Sequence, residues 1–289
     1  MSQVVVHGAG ARSGWSVLNP VSMARNLWSH RRLTWLIAKR NIQIRYRQTK
    51  LGAFWVIATP LATMIVYSVV FGYILGSKFE QKPGSTAGRF DFPLNLLCGM
   101  LIYELFAGAV RRSPSIVLEN PNYVKRVVFP LEIFTPAILI ENLFNMFIGY
   151  ALWIAGYLLL GNQPPSATWL YFPLIVLPVA LWGAGLSWLA AAAGVVFRDL
   201  GQAVYIFLNL FFFATPIIYD FNRIEYVWLR EALELNPLGH AVTDARRIFM
   251  QGVAPDFGWL AISTGLGAAL TLFGYAVFMR AKRIFPDVI

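Results

Sequence analysis

Three carboxylates stand in or beside long apolar blocks of this sequence: Glu104, Glu132 and Glu141. A charge in such surroundings is costly unless it is paired, lies at an interface or serves a function. Glu132 comes one turn into its block and reads as interfacial. Glu141 lies deeper and Glu104 near mid-block, so both are candidates to line a polar path through an apolar layer. Nothing in the sequence completes a catalytic set around them. The histidines, His7, His30 and His240, are widely separated, and Cys98 is the single cysteine, which excludes an intrachain disulfide and a thiolate metal cluster. There is no G-x-x-x-x-G-K-[ST] phosphate loop, no H-E-x-x-H and no G-x-S-x-G. The sequence therefore offers no catalytic residue, no metal ligand and no nucleotide site. Recognition and passage are the chemistry that remains.

Two basic segments carry the recognition signals. From Leu33 to Lys50 the spacing predicts a helix with two apolar stripes, Trp35, Ala38, Ile42 and Tyr46 on one side and Leu33, Ile37 and Ile44 nearly opposite. Lys39, Arg40, Arg45, Arg47 and Lys50 fill between them, as suits a helix in a headgroup layer or one facing a protein partner. The second segment runs Glu119-Asn120-Pro121-Asn122-Tyr123-Val124-Lys125-Arg126 and then Phe129-Pro130-Leu131-Glu132. Asn-Pro favours a turn and Pro130 restarts a helix, which predicts a short helix in a loop. A third polar interruption, Phe197-Arg198-Asp199-Leu200, predicts a tight turn in which Asp199 caps the next helix and Arg198 reaches lipid phosphate or a partner.

The elements that must position these residues are membrane helices. The chain has 289 residues, 57% of them hydrophobic and 13% charged, with a mean hydropathy of +0.58. A soluble domain carries about a quarter charged residues. Apolar blocks long enough to cross a bilayer fall near Leu51–Leu75, Leu94–Val110, Leu131–Leu160, Leu170–Val196, Leu200–Tyr219 and Trp259–Met279. The third is long enough for a tilted span or a span plus a turn. The mixed, polar opening Met1–Trp15 has no signal-peptide core, so the first block reads as a retained span. If the amino end is inside, seventeen of the 24 Lys and Arg residues fall on the inner side, and the net charge of +10 reports topology rather than nucleic acid. The fold class is therefore all-α: an integral membrane protein of about six spans, with both ends cytoplasmic. It divides into an amino-terminal tail (1–30), a cytoplasmic amphipathic interface helix (31–50) and a six-span domain (51–289). Residues 220–258, broken by Pro237 and Pro255, predict short helices that dip back into the bilayer before the last span.

In this order and spacing, Leu-Gly-x-x-Trp-x-x-x-x-Pro-Leu from Leu51, the Asn120-Pro121 to Leu131 loop, Phe197-Arg198-Asp199-Leu200, and Asn236-Pro237-Leu238 with Arg247 and Phe249 resemble the permease subunits of type-2 ABC exporters for polysaccharides. That group exports O-antigen, capsule and teichoic acid, and the resemblance covers residues 30–289. It implies a homodimer worked by two copies of a separate ATPase chain, which binds ATP and Mg, with no cofactor on this chain and no nucleic acid. It places Trp35, Lys39, Arg40, Arg45, Arg47, Asn120, Pro121, Tyr123, Lys125, Arg126, Arg198 and Asp199 against the ATPase. Asn236, Pro237, Arg247 and Phe249 would border the exit. Aromatic residues make up 15% of the chain, and ring faces stack on sugars. Tyr67, Tyr103, Phe106 and Trp182, with Glu104 and Glu141, are thus candidates for the substrate path. A small-molecule exporter on the same scaffold and a membrane-embedded lipid-sugar enzyme are the alternatives.

Overall fold

The computed structural model describes residues 19–47, 52–74, 76, 79, 90–124, 129–160, 164–221 and 224–288. They form helices and connections, with no strand among them. Two helices precede the first apolar block, α1 (Pro20–Ser29) and α2 (Arg31–Arg47). Helix α1 belongs to the stretch assigned above to the tail. Its start is explained locally: Asn19 Oδ1 accepts the Val21 N–H at 2.9 Å and Pro20 stands in the first turn, where its missing N–H costs nothing.

The apolar blocks follow as α3 (Gly52–Tyr67, prolonged by a π-helical stretch, Ser68–Ile74), α4 (Asp91–Ile116), α6 (Phe134–Leu160), α7 (Phe172–Val196), α8 (Leu200–Ala214) and α11 (Phe257–Ala281). A four-residue helix, α5 (Pro121–Val124), lies between α4 and α6. Among the described residues, four stretches are long and apolar enough to cross a bilayer unaided: Asp91–Ile116, Leu131–Leu159, Ala167–Val196 and Phe257–Ala281. The long third block is one continuous helix entered through a 3-10 turn, with no break inside it. Helix α8 ends at Ala214, before the expected Tyr219, because Thr215 turns to an extended conformation ahead of Pro216. At 15 residues it is ~22 Å long, short of a ~30 Å hydrocarbon core, and the Thr215–Tyr219 connection continues its path.

Residues 220–258 fold as α9 (Val227–Glu234) and α10 (Pro237–Arg246), the latter extended by a π turn, Arg247–Gln251. Pro237 opens α10 rather than breaking it, and Asn236 caps it through Leu238 N–H at 3.0 Å. A short carboxy-terminal helix, α12 (Phe285–Val288), follows α11. Helix α10 is buried along Leu238, Ala241, Val242 and Ala245. Its last residue, Arg246, is 5% exposed. Its guanidinium donates to the carbonyls of Asn95 (3.1 Å), Pro216 (2.6 Å) and Ile217 (2.5 Å), and lies 4.2 Å over the Phe79 ring. One side chain thereby ties α10 to the start of α4 and to the end of α8, meeting its own donors with backbone carbonyls in an apolar setting.

Helices α4, α7 and α11 form the tightest part of the bundle. Thr271 Oγ1 donates to Leu181 O at 2.7 Å, and Trp182 Nε1 to Ser263 O at 3.1 Å. At two crossings the backbones themselves touch. A Cβ on Gly194 would collide with the Pro114 carbonyl, and one on Gly274 with the Gly185 carbonyl. Small residues let membrane helices approach to this degree, where van der Waals packing replaces the hydrophobic drive available in water. Gly274→Ala is expected to cost about 3 kcal/mol and lower the thermal midpoint of the detergent-solubilised chain by roughly 5–10 °C. Gly265→Ala, on the same helix with open space around it, is the control and should shift the midpoint by less than about 2 °C. Equal behaviour of the two variants would contradict this packing.

Candidate functional site

A cavity of about 800 Å³ lies between α3, α4, α6 and α8, with Arg45 of α2 at one end. Side chains from these four helices make its walls. Thr59, Thr63 and Tyr67 come from α3, Tyr103, Glu104, Gly108, Arg111 and Arg112 from α4, Glu141, Asn142 and Asn145 from α6, and Leu208, Asn209, Phe212 and Phe213 from α8. The helical repeat explains the grouping: residues at three- and four-residue steps on α4 and on α6 turn to the same side. Tyr67, Tyr103 and Phe212 pack together, with ring centroids 5.9 Å and 5.3 Å apart for Phe212 against each tyrosine. The Tyr103 hydroxyl donates to the Leu208 carbonyl, so α4 and α8 are hydrogen-bonded across this wall.

Glu141 is the most constrained charge in the cavity. Its side chain is 3% exposed and faces two guanidiniums: Arg112 Nη1 donates to Oε2 at 2.5 Å, and Arg45 Nη1 forms an ion pair with Oε1 at 3.2 Å. The three groups belong to α6, α4 and α2, so a single carboxylate joins the amphipathic helix to the walls of the cavity. Glu104 is a different case. It is half exposed and meets Arg111 at 3.4 Å, a pair that contributes little in a wet setting.

Of the residues expected along a path, Tyr67, Tyr103, Glu104 and Glu141 are brought together on this cavity. Phe106 is not among its lining residues; it is 2% exposed and packs toward Phe211 at 6.0 Å. Trp182 is held at the α7–α11 crossing by Ser263. Glu132, expected at an interface, is buried to 4% exposure. It accepts from Lys282 Nζ at 2.6 Å and Asn26 Nδ2 at 2.9 Å, while Asn26 also donates to the Tyr275 hydroxyl at 2.8 Å. This cluster fastens α1 to the turn before α6 and to the end of α11.

The basic segments also meet. Arg40 Nη1 donates to the Tyr123 hydroxyl at 2.9 Å, and Tyr123 stacks on Phe129 at 4.4 Å. Asn120 Nδ2 donates to the Ile116 carbonyl at 2.8 Å, closing the end of α4 just before Pro121 opens α5. Trp35 is 57% exposed, and Lys39 and Arg40 are exposed beside it. Arg198 and Asp199 are exposed in the α7–α8 turn, at the α5 end of the bundle because Gly194 backs onto Pro114. The expected cap by Asp199 is made by its backbone carbonyl, not by its side chain. Lys125 and Arg126, and the side chain of Arg47, lie outside the described residues.

At the opposite end, Asn236 Nδ2 donates to Thr215 Oγ1 at 3.0 Å. Phe249 is enclosed by Tyr150, Trp153, Trp169 and Phe172 at 5.0–5.3 Å. Arg247 reaches Asp244 at 3.5 Å, and burial pushes the Asp244 carboxyl up, against the Asp256 N–H and Arg247, which hold it down. The residue that does most here, Arg246, was not singled out from sequence, where Arg247 beside it looks the same. Among the described residues no group of three His, Cys, Asp or Glu side chains gathers as a metal site.

The comparisons with known proteins agree with this arrangement. The chain is 26% identical over 272 residues to the O-antigen export system permease protein RfbA of Myxococcus xanthus, covering 93% of this chain and 100% of that protein. It is 26% identical over 258 residues to the protein of the same name from Klebsiella pneumoniae, covering 88% of this chain and 93% of the other. To the polysialic acid transport protein KpsM of Escherichia coli it is 25% identical over 247 residues, 83% of this chain and 89% of that one. A family model described as ABC-2 type transporter matches residues 32–250, from the start of α2 through α10, and so takes in every wall of the cavity. The chain, a multi-pass membrane protein, belongs to the ABC-2 type transporter family.

Proposed function

We infer that this chain is the membrane-spanning subunit of an ATP-driven exporter that moves a polysaccharide, carried on a lipid, from the cytoplasmic side across the inner or plasma membrane. The observation that carries the reading is the cavity itself, lined by charged, hydroxyl, amide and ring side chains among apolar ones, in a chain similar along most of its length to O-antigen permeases. Hydroxyl, amide and ring surfaces make many weak contacts with sugar, which suits sliding better than tight capture. The working unit in this reading is a homodimer with two copies of a nucleotide-binding ATPase, which holds ATP and Mg. Both termini are cytoplasmic, as the positive-inside distribution supports.

The motor would bear on the face where Arg40 and Tyr123 join α2 to α5, with Trp35, Lys39, Arg198 and Asp199 exposed nearby. Displacement of α2 then acts on the cavity through Arg45 and Glu141. In proteoliposomes containing this chain and its ATPase, lipid-linked polysaccharide should enter only with hydrolysable ATP; uptake of a small dye but no polymer would reject the reading in favour of a small-molecule exporter. Lys39→Glu reverses a charge on the exposed face. It should reduce recovery of the ATPase with the purified permease by about tenfold, the scale of a modest interface hot spot. Thermal stability of the permease alone should stay within about 2 °C. Undiminished recovery would remove this face from the docking surface.

A further inference from the structure

Helix α1 lines no part of the cavity, yet both of its faces are chemically defined. Met23 and Leu27 turn inward and pack on the buried cluster that holds Trp188 and Phe278. Between them Asn26 reaches Glu132 Oε1 at 2.9 Å and the Tyr275 hydroxyl at 2.8 Å. Val21, Arg25 and Trp28, at four- and three-residue steps, turn outward, and Val21 and Trp28 are 65% and 68% exposed. At the elbow into α2, Arg31 Nη1 donates to the Trp28 carbonyl at 3.0 Å, and the guanidinium lies 4.7 Å over the Trp28 ring. Arg32 is exposed beside it. No acidic residue precedes Glu80 in the chain, so nothing near in sequence offsets these three cations.

The Asn26 contacts also fix the depth of α1. Helix α11 has 25 residues and is ~37 Å long against a ~30 Å hydrocarbon core, so its final turns reach the headgroup layer. Tyr275 stands about 9 Å before its end, near the boundary between acyl chains and headgroups. Helix α1 therefore lies alongside the end of a span and not beyond it. At that level an indole and an aliphatic side chain meet lipid, while guanidiniums reach phosphate. We propose that the outward face of α1 and its elbow, Val21, Arg25, Trp28, Arg31 and Arg32, form a binding surface for anionic phospholipid headgroups. Cations set among apolar groups fit an acidic headgroup on an acyl chain. Helix α2 begins at this elbow, so lipid holds one end of it while Glu141 holds the other through Arg45. The assignment uses neither the cavity nor the cargo.

The test reads lipid at the site itself. In a Cys98→Ser background, Val21→Cys carries a fluorescent probe on the outward face of α1, and Leu266→Cys carries the same probe on the exposed side of α11. The full-length chain is placed in phosphatidylcholine discs. These are doped, at equal mole fraction, with phosphatidylglycerol or phosphatidylcholine bearing a nitroxide quencher near the top of the acyl chain. At position 21 phosphatidylglycerol should be preferred by about threefold or more, and at position 266 neither lipid should be. Combined Arg25→Gln, Arg31→Gln and Arg32→Gln should bring the preference at position 21 close to one. The same three changed to Lys should retain it, and added salt should lower it. All three are exposed, so the thermal midpoint in phosphatidylcholine should move by less than about 2 °C. Equal quenching by both lipids at position 21, or a preference that survives the Gln substitutions, would overturn the site. Quenching by neither lipid would put this face outside the bilayer and overturn it too. Gln variants that recover about tenfold less ATPase would assign the face to the motor instead. Polymer export without any lipid preference at position 21 would discard this surface and keep the transport reading; a lipid preference without export would do the reverse.

Discussion

A carboxylate inside an apolar bundle must be neutralised where it lies, because taking an ion out of water costs several kcal/mol even after relaxation. Glu141 meets this condition by drawing one arginine from α4 and another from α2. The position of α2 against the bundle is therefore tied to a charge it cannot leave uncompensated without Arg112 taking over. An amphipathic helix lying in a headgroup layer would be free to slide. This one is anchored at its end to the inside of the molecule, and any force applied to it from outside reaches the cavity by way of one ion pair.

The same constraint is met in two other ways elsewhere. Glu132 is satisfied by Lys282 and Asn26, which binds the chain's two ends to the turn before α6. Arg246 donates to backbone carbonyls and locks α10 between α4 and α8. Buried charges thus fix the places where distant segments meet, while α4, α7 and α11 supply a rigid scaffold through close backbone contact. Helices α3 and α8 are held differently. They leave Ile65, Val66, Ile206, Leu210 and Phe213 exposed and contribute the wall most loosely tied to the scaffold. A path that must widen for a polymer can do so at α3, whereas moving α8 also breaks its ties to Tyr103 and Arg246.

Much of this was legible in the sequence because the signals are local. Runs of apolar residues announced the spans, and the cost of a charge within them drew notice to Glu104 and Glu141, which lie on the cavity. Asn120-Pro121 announced α5, whereas Pro237, expected as a break, opens α10. What could not be read were pairings between residues far apart in the chain. Arg45 looked like a surface base and Glu141 like a path residue, and nothing local says that they touch. Arg246 and Arg247 are indistinguishable by type and spacing, yet one is enclosed and the other partly exposed. Phe106 and Trp182 looked like Tyr67 and Tyr103, because the face a ring presents in a wholly apolar helix leaves no periodic trace. Helix α1 was missed since its polar side chains, Asn26 above all, are used in tertiary contacts instead of forming a stripe.

The account depends on the cavity between α3, α4, α6 and α8 being the route of transport. It is tested most directly by blocking it with a removable group. In a Cys98→Ser background, Thr63→Cys places a thiol on the cavity wall, and Leu266→Cys places one on the exposed side of α11. Both are treated with a bulky methanethiosulfonate reagent, and ATP-driven polymer export is followed before and after reduction. Export should stop on modification at position 63, return when the group is removed, and be unchanged at position 266. Undiminished export with position 63 fully modified would contradict the account.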